Sequence, residues 1–139
     1  MAAKSFETLT CVRLIPWNGE TNYVKLIFNQ GCYTDGLGRQ GVTEMSLEAP
    51  DCTDPATVIH EFMHVLGFDH EHNRPDRDSH INFYRSNVDP LDQDQFQKGS
   101  ANDFEYQSLG DYDFLSVMHY EARAASRNGK PVLSRKYGP

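Results

Sequence analysis

The sequence lacks several features that would indicate common classes of partner. Its 139 residues have a net charge of −7 and contain no run of Lys and Arg, which argues against nucleic acid or an anionic membrane as a partner. No apolar stretch approaches the roughly 20 residues that a membrane helix needs. The opening MAAKSFETLT has no signal-peptide pattern, which leaves open whether the protein stays in the cytosol or its leader is missing from this chain.

Cysteine is scarce and odd in number. Cys11, Cys32 and Cys52 form no CxxC pair, so the sequence has no cysteine clip for a metal. In a secreted chain, one disulfide and one leftover thiol would be the simplest account, whereas in a cytosolic chain all three would be thiols. The cysteine count alone does not choose between these two accounts.

The composition indicates one globular domain spanning residues 1–139. Hydrophobic residues make up 38% of the chain and aromatic residues 12%, which is ordinary for a packed core, and no repeat or long linker divides it. The first half is rich in β-branched and aromatic residues and predicts strands. The strand candidates are TCVRLIPW (10–17), YVKLIFN (23–29), VTEMSLE (42–48) and an irregular, glycine-rich edge strand in GCYTDGLGRQG (31–41).

A helix is predicted next, with Thr53 or Asp54 as its N-cap, Pro55 in its first position and Gly67 after its end. On a helical wheel, its polar residues fall within one wedge of roughly 100°, and the rest are apolar. The wedge contains Thr57, His60, Glu61 and His64. A helix that is apolar almost all round is buried, and an ordinary solvated face would carry Lys, Asp or Gln. A short helix is also predicted around Leu91–Lys98.

The polar wedge contains the pattern HExxH. Histidines four positions apart project side by side from a helix and can bind one metal ion, while Glu61 can reach a metal-bound water. Alone, the pattern also suits a helix with a polar stripe. Gly67 favours a metal, because a left-handed glycine ends the helix and lets His70 approach the same ion. Three neutral imidazoles would leave a position for water, as in catalytic zinc sites.

Longer motifs resemble one protease family. HEFMHVLGFDH, from His60 to His70, matches the metzincin signature HExxHxxGxxH. Its extension HEHNRPDRD, residues 70–78, resembles the astacin family of zinc proteases. SVMHY, residues 116–120, is similar to the Met-turn of that family, in which Met118 would form an apolar floor beneath the zinc ligands. CYTDGLGRQG and NVDP are also similar to astacin segments, so the resemblance covers nearly the whole chain.

The resemblance implies a fold and an activity. The expected fold is α+β and metzincin-like, with a twisted, mostly parallel sheet, an antiparallel edge strand, a buried active-site helix and a zinc cleft between upper and lower lobes. The expected activity is that of a secreted or extracellular endopeptidase with one zinc ion per chain. Protein or peptide substrates would bind in extended form along the irregular strand from Cys32 to about Gly38. The oligomeric state is not implied.

The resemblance also assigns roles to single residues. It implies four zinc ligands, which are His60, His64, His70 and Tyr120. Tyr120 would leave the zinc when substrate binds and donate its hydroxyl to the oxyanion. Glu61 would accept the proton of the zinc-activated water and deliver it to the leaving amine. Glu71 would bind the amino group of a processed N-terminus.

The same resemblance implies how the cysteines pair. Cys32 would pair with Cys52, and Cys11 would pair with a cysteine that this chain does not contain. Compared with an astacin catalytic domain, the chain therefore looks truncated at both ends. We expect three further histidines to be structural, namely His72, His80 and His119. We expect the charged run at 74–78 to form an ion-pair network.

Two other interpretations stay open. The chain could be a non-catalytic, zinc-binding fragment of such a protease, because the missing ends would remove parts of the fold. It could also belong to a different metzincin branch, in which Tyr120 would not be a ligand. Three imidazoles also suit copper, cobalt and nickel, but the HExxH chemistry favours zinc.

Overall fold

The computed structural model describes residues 2–38, 41–103 and 110–137. The chain forms two compact units, Met1–Phe68 and Asp69–Pro139. Two residues of the predicted glycine-rich segment, 39 and 40, lie outside the described residues. Among the residues that are described, no helix has both the length and the apolar character needed to cross a membrane.

The described residues of the first unit form two helices and a three-stranded sheet. Its elements are α1 (Ala2–Leu9), β1 (Tyr23–Ile27), β2 (Cys32–Thr34), β3 (Val42–Leu47) and α2 (Pro55–Val65). The strand order is β1-β3-β2, with β1 parallel to β3 and β2 antiparallel to it. The predicted α+β class is therefore confirmed.

The caps of α2 explain why this helix begins and ends where it does. Asp54 is the N-cap, because its carboxylate accepts hydrogen bonds from the main-chain N–H groups of Ala56 and Thr57. At the other end, Gly67 has a φ of 95°, a left-handed conformation that suits glycine. Its N–H donates to the carbonyl of His64, and the next N–H, of Phe68, donates to Met63. These two bonds are the Schellman motif.

The core of the first unit lies between the sheet and α2. It is centred on Met45, Leu47 and Cys52, and its partly buried neighbours are Val24, Val58, Phe62 and Val65. A disulfide joins Cys32 to Cys52, as the family resemblance led us to expect. This bond ties the first residue of β2 to the segment that precedes α2. Cys11 is exposed and is a free thiol.

The predicted strand at 10–17 is wrong. The segment forms no strand, and it follows a helix, α1, that the sequence did not predict. Its apolar residues are largely exposed, with 74% for Ile15 and 62% for Trp17, and they help to line an open apolar hollow of about 970 Å³. Strand propensity reports how well a side chain fits the pleated surface that paired strands form. This segment pairs with no described strand, so its strand propensity has no effect here.

The second unit consists of short elements. β4 (Ile81–Phe83) and β5 (Leu133–Arg135) form a two-stranded antiparallel sheet. In the part of this unit that the structure describes, the helices are short 3₁₀ turns at Glu71–Asn73, Arg77–Ser79, Arg85–Asn87 and Pro90–Phe96. The last of these replaces the helix predicted around Leu91–Lys98. The buried core consists of Ile81, Val88, Phe96, Tyr112, Val132 and Leu133.

The disulfide can be tested by removing it. We expect the double substitution Cys32→Ala with Cys52→Ala to lower the free energy of unfolding by about 3 kcal/mol, because the bond closes a loop of 20 positions and restricts the unfolded chain. Urea unfolding measures this change. Cys11→Ala is the matched control and should leave the midpoint unchanged. Equal midpoints for all three proteins would contradict the prediction.

Candidate metal centre

Helix α2 carries His60 and His64 on neighbouring turns, as the HExxH pattern predicts. Their Nε2 atoms lie 3.1 Å apart. Two nitrogen ligands of a tetrahedral zinc, each bonded at about 2.0–2.1 Å, are separated by about 3.3 Å. The spacing of these two imidazoles therefore fits a shared zinc ion.

The orientation of the His64 ring is set by the end of α2. Nδ1 of His64 lies 2.8 Å from the carbonyl oxygen of Phe68. Because a carbonyl only accepts hydrogen bonds, Nδ1 carries the proton and Nε2 keeps a lone pair for a metal. The carbonyl of Phe68 was not predicted from the sequence, although Gly67, which positions it, was.

His70 completes the group. One ligand nitrogen from each of His60, His64 and His70 lies within 4.8 Å of the others, and these three residues could hold a metal ion. His64 and His70 are buried, and His60 is half-buried. Imidazole nitrogen is a ligand that zinc prefers, so the donor set fits zinc.

Glu61, which follows His60 in α2, is only 4% exposed. The hydroxyl of Thr34, at the end of β2, lies 2.8 Å from Oε2 of Glu61 and 3.2 Å from its main-chain oxygen. Thr34 was not predicted from the sequence as a site residue. Its contact with Glu61 spans 27 positions, so no local pattern could have indicated it.

Two residues of the expected Met-turn, Met118 and Tyr120, lie in the second unit. Met118 is 3% exposed, and its carbonyl accepts a hydrogen bond from the N–H of Glu71. The ring of Tyr120 stacks on His72 with 4.2 Å between centroids and lies 4.7 Å from the ring of His70. Ligation of zinc by Tyr120 and the role of Met118 as a floor stay predictions.

Arg74 is the centre of a charged network, and it is 4% exposed. Its guanidinium donates to both carboxylate oxygens of Asp76, to Oε1 of Glu71 and to the carbonyls of Gly110 and Asp111. Glu71 also accepts the N–H of Asp113 at the same oxygen. The hydrogen bond from Arg74 lowers the pKa of Asp76 below its usual range. The charged run thus forms the ion-pair network that we expected.

Comparisons with known proteins are consistent with these features. The family model for Astacin, a family of peptidases, matches residues 1–137. The chain belongs to the astacin family.

Individual relatives of this astacin chain are moderately similar to it. It is 37% identical to Embryonic protein UVS.2 of Xenopus laevis over 139 residues, which are 99% of this chain and 26% of that protein. It is 38% identical to Zinc metalloproteinase nas-7 of Caenorhabditis elegans over 136 residues, 97% of this chain and 35% of that protein. The chain thus spans only about a third, or less, of these relatives.

A solved structure has a similar fold. High choriolytic enzyme 1, a hatching enzyme zinc-protease from Oryzias latipes (medaka fish), matches this astacin chain with a TM-score of 0.90 and 31% identity. The match covers 99% of this chain and 68% of that chain.

His72 of this astacin chain has both ring nitrogens in hydrogen bonds. Its Nδ1 accepts the N–H of Tyr120, and its Nε2 lies 3.2 Å from the carbonyl of Gln95, to which it donates. The ring is completely buried. Burial, with a smaller contribution from His70, lowers its pKa to about 2, so the ring is neutral. These bonds agree with a structural role.

The other two histidines also have structural partners. Nδ1 of His119 donates to the carbonyl of Tyr120, so its Nε2 accepts the hydroxyl of Tyr112 at 2.8 Å. Burial raises the pKa of Tyr112, which keeps that hydroxyl protonated. The ring of His80 stacks on Tyr112 at 4.7 Å.

Zinc binding gives a direct test of the three-histidine group. We expect one zinc per chain by elemental analysis. We expect His70→Ala to weaken zinc affinity by more than the roughly 10–100-fold that loss of an outer-shell partner causes, because it removes a ligand. His80→Ala removes a histidine outside the group and should keep full affinity, measured by competition with a chelator. Equal affinities for the two variants would show that His70 is not a ligand.

Proposed function

We propose that this chain carries the catalytic centre of a zinc-dependent endopeptidase that hydrolyses peptide bonds in proteins. The observation that carries the proposal is the grouping of His60, His64 and His70, together with the buried Glu61 that follows His60 in α2. Membership of the astacin family supports the same activity. His60, His64 and His70 would hold the zinc, with Tyr120 as a fourth ligand.

The reaction needs a group that moves a proton. When bound, zinc supplies Lewis acidity that lowers the pKa of a coordinated water to roughly 7 and polarises a carbonyl oxygen. Glu61 would accept a proton from the attacking water at its carboxylate. It would then deliver that proton to the nitrogen of the leaving amine as the peptide bond breaks, so that it acts as a general base and afterwards as a general acid.

Tyr120 would stabilise the negative charge that develops on the carbonyl oxygen. A hydroxyl donor aimed at an oxyanion is a large contribution to acyl-transfer catalysis. The position of Tyr120 supports this role, because its ring stacks on His72 and its N–H donates to Nδ1 of the same ring. Two contacts with one buried side chain limit the positions that the phenol can take.

Substrate would bind as an extended segment of protein or peptide. β2 lies at one edge of the sheet in the first unit, and an edge strand can pair with an extended chain through its main-chain groups. We further propose that residues 1–139 form a single peptidase domain, with a wider, mostly parallel sheet and a zinc cleft between two lobes. Secretion is supported by the disulfide between Cys32 and Cys52, because such bonds persist in oxidising compartments.

Cleavage of quenched fluorescent peptides tests the activity. The zinc-loaded chain should cleave some members of a panel, and Glu61→Ala should lower kcat/KM by about 10²–10⁴-fold, because the proton acceptor is lost. Glu7→Ala, which removes an exposed carboxylate of α1, is the control and should leave the rate unchanged. A chain that binds one zinc but cleaves no peptide would instead be the non-catalytic fragment, and cleavage that survives Glu61→Ala would contradict the assigned role of Glu61.

The role of Tyr120 can be tested without turnover. Imidazole sites also accept copper, so the chain can be loaded with copper(II) in place of zinc. A phenolate ligand to this copper should give a ligand-to-metal charge-transfer absorption. Tyr120→Phe should abolish this absorption, and Tyr84→Phe, at an exposed tyrosine, should retain it. An unchanged spectrum in Tyr120→Phe would favour a different metzincin branch over the proposed ligand.

A further inference from the structure

Thr34 contacts the carboxylate that we propose as the general base. Its hydroxyl lies 2.8 Å from Oε2 of Glu61 and 3.2 Å from the main-chain oxygen of the same residue. A hydroxyl has one proton to donate. The shorter distance and the charge of the carboxylate favour donation to Oε2, because hydrogen bonds to ionised acceptors are shorter and stronger than neutral ones.

We propose that Thr34 is a positioning residue for Glu61. Its hydroxyl binds Oε2, restrains the rotation of the carboxylate and leaves Oε1 for proton transfer. The inference rests on the proposed function, because it assigns Thr34 a role in the step that Glu61 performs. No bond is made or broken at Thr34 itself.

The main chain around Thr34 is fixed well enough to perform this role. Thr34 pairs in the sheet with Met45, which is completely buried. Two positions before it, Cys32 is joined by the disulfide to Cys52. Four positions after it, the N–H of Gly38 donates to the carbonyl of His64 at 2.9 Å. Thr34 therefore lies between two connections to the α2 region, the disulfide to Cys52 and the hydrogen bond to His64, and α2 also carries Glu61.

Burial makes the contact with Glu61 significant for a reaction. Glu61 is 4% exposed, so little water can compete with Thr34 for its oxygens. A carboxylate without this partner would be free to turn about its last torsion, which has a broad distribution for glutamate. A misplacement of about 1 Å in a reacting group can cost on the order of 10²-fold in rate.

A positioning role and a purely structural one predict different kinetics. If the hydroxyl only attaches β2 to α2, its loss lowers stability and leaves the kcat of the folded enzyme unchanged. If it positions Glu61, its loss lowers kcat while KM changes little, because peptide binding does not require the carboxylate to be oriented.

The experiment compares three threonine variants of the zinc-loaded chain. Thr34→Val keeps the shape and removes the hydroxyl, and we expect kcat to fall about 10–100-fold with KM within about twofold. Thr34→Ser restores the hydroxyl and should recover most of that loss. Thr43→Val removes a buried hydroxyl from the neighbouring strand β3 and should keep the wild-type kcat. In the Glu61→Ala background, Thr34→Val should have no further effect on the residual rate.

A second readout does not depend on activity. Urea unfolding of the zinc-free chain, its Thr34→Val and Glu61→Ala variants and the double variant forms a double-mutant cycle. We expect the two effects on the unfolding midpoint to be non-additive, because either substitution removes the same hydrogen bond. Strict additivity would overturn the inference.

The outcomes separate this inference from the proposed function. Cleavage by the wild type with an unchanged kcat in Thr34→Val overturns the role of Thr34 and leaves the proposed function standing. No cleavage by the zinc-loaded wild type overturns the proposed function, and the positioning role falls with it. A loss of kcat in Thr34→Val that Thr34→Ser does not recover also contradicts the inference, because the hydroxyl would then not be the cause.

Discussion

The left-handed conformation of Gly67 is the constraint on which the candidate metal centre depends. With a φ of 95°, Gly67 ends α2 and turns the next residue so that the carbonyl of Phe68 meets Nδ1 of His64. The same turn carries the chain on to His70, which joins the group of ligand nitrogens. One backbone conformation thus selects the tautomer of one histidine and determines the approach of another. An L-residue with a side chain adopts this conformation only at a cost of roughly 1–2 kcal/mol.

Contact between Gly67 and Gly38 connects this turn to the segment that follows β2. A Cβ on Gly67 would lie 3.7 Å from Cα of Gly38, and one on Gly38 would lie 3.8 Å from Cα of Gly67. The carbonyl of His64 accepts both N–H groups, so the end of α2 and the segment after β2 share one acceptor. The disulfide and the hydroxyl of Thr34 add two further attachments between these parts of the chain. The strand that we propose for substrate pairing is therefore built into the same local framework as His64 and Glu61.

The sequence was informative where the cause of a structure is local. The caps of α2, the pairing of His60 with His64 and the turn at Gly67 follow from neighbouring residues, and the sequence predicts each of them. The segment at 10–17 misled the prediction because its strand propensity needs a partner strand that the described chain does not provide. Thr34 could not be found by any local pattern, because its contact with Glu61 depends on how a strand packs against a helix 27 positions later.

Hydrogen bonding explains why His72 is not among the candidate ligands, although it is close to them in the sequence. His72 is close to His70 in the chain, and the two rings stack with 5.0 Å between centroids. Yet His72 uses one nitrogen for the N–H of Tyr120 and the other for the carbonyl of Gln95. A metal could bind His72 only by breaking one of these bonds and leaving a buried polar group without a partner, which costs about 1–3 kcal/mol. Hydrogen bonds within the second unit therefore keep both nitrogens of His72 from a metal, and the ring of Tyr120 stacks on this fully bonded side chain.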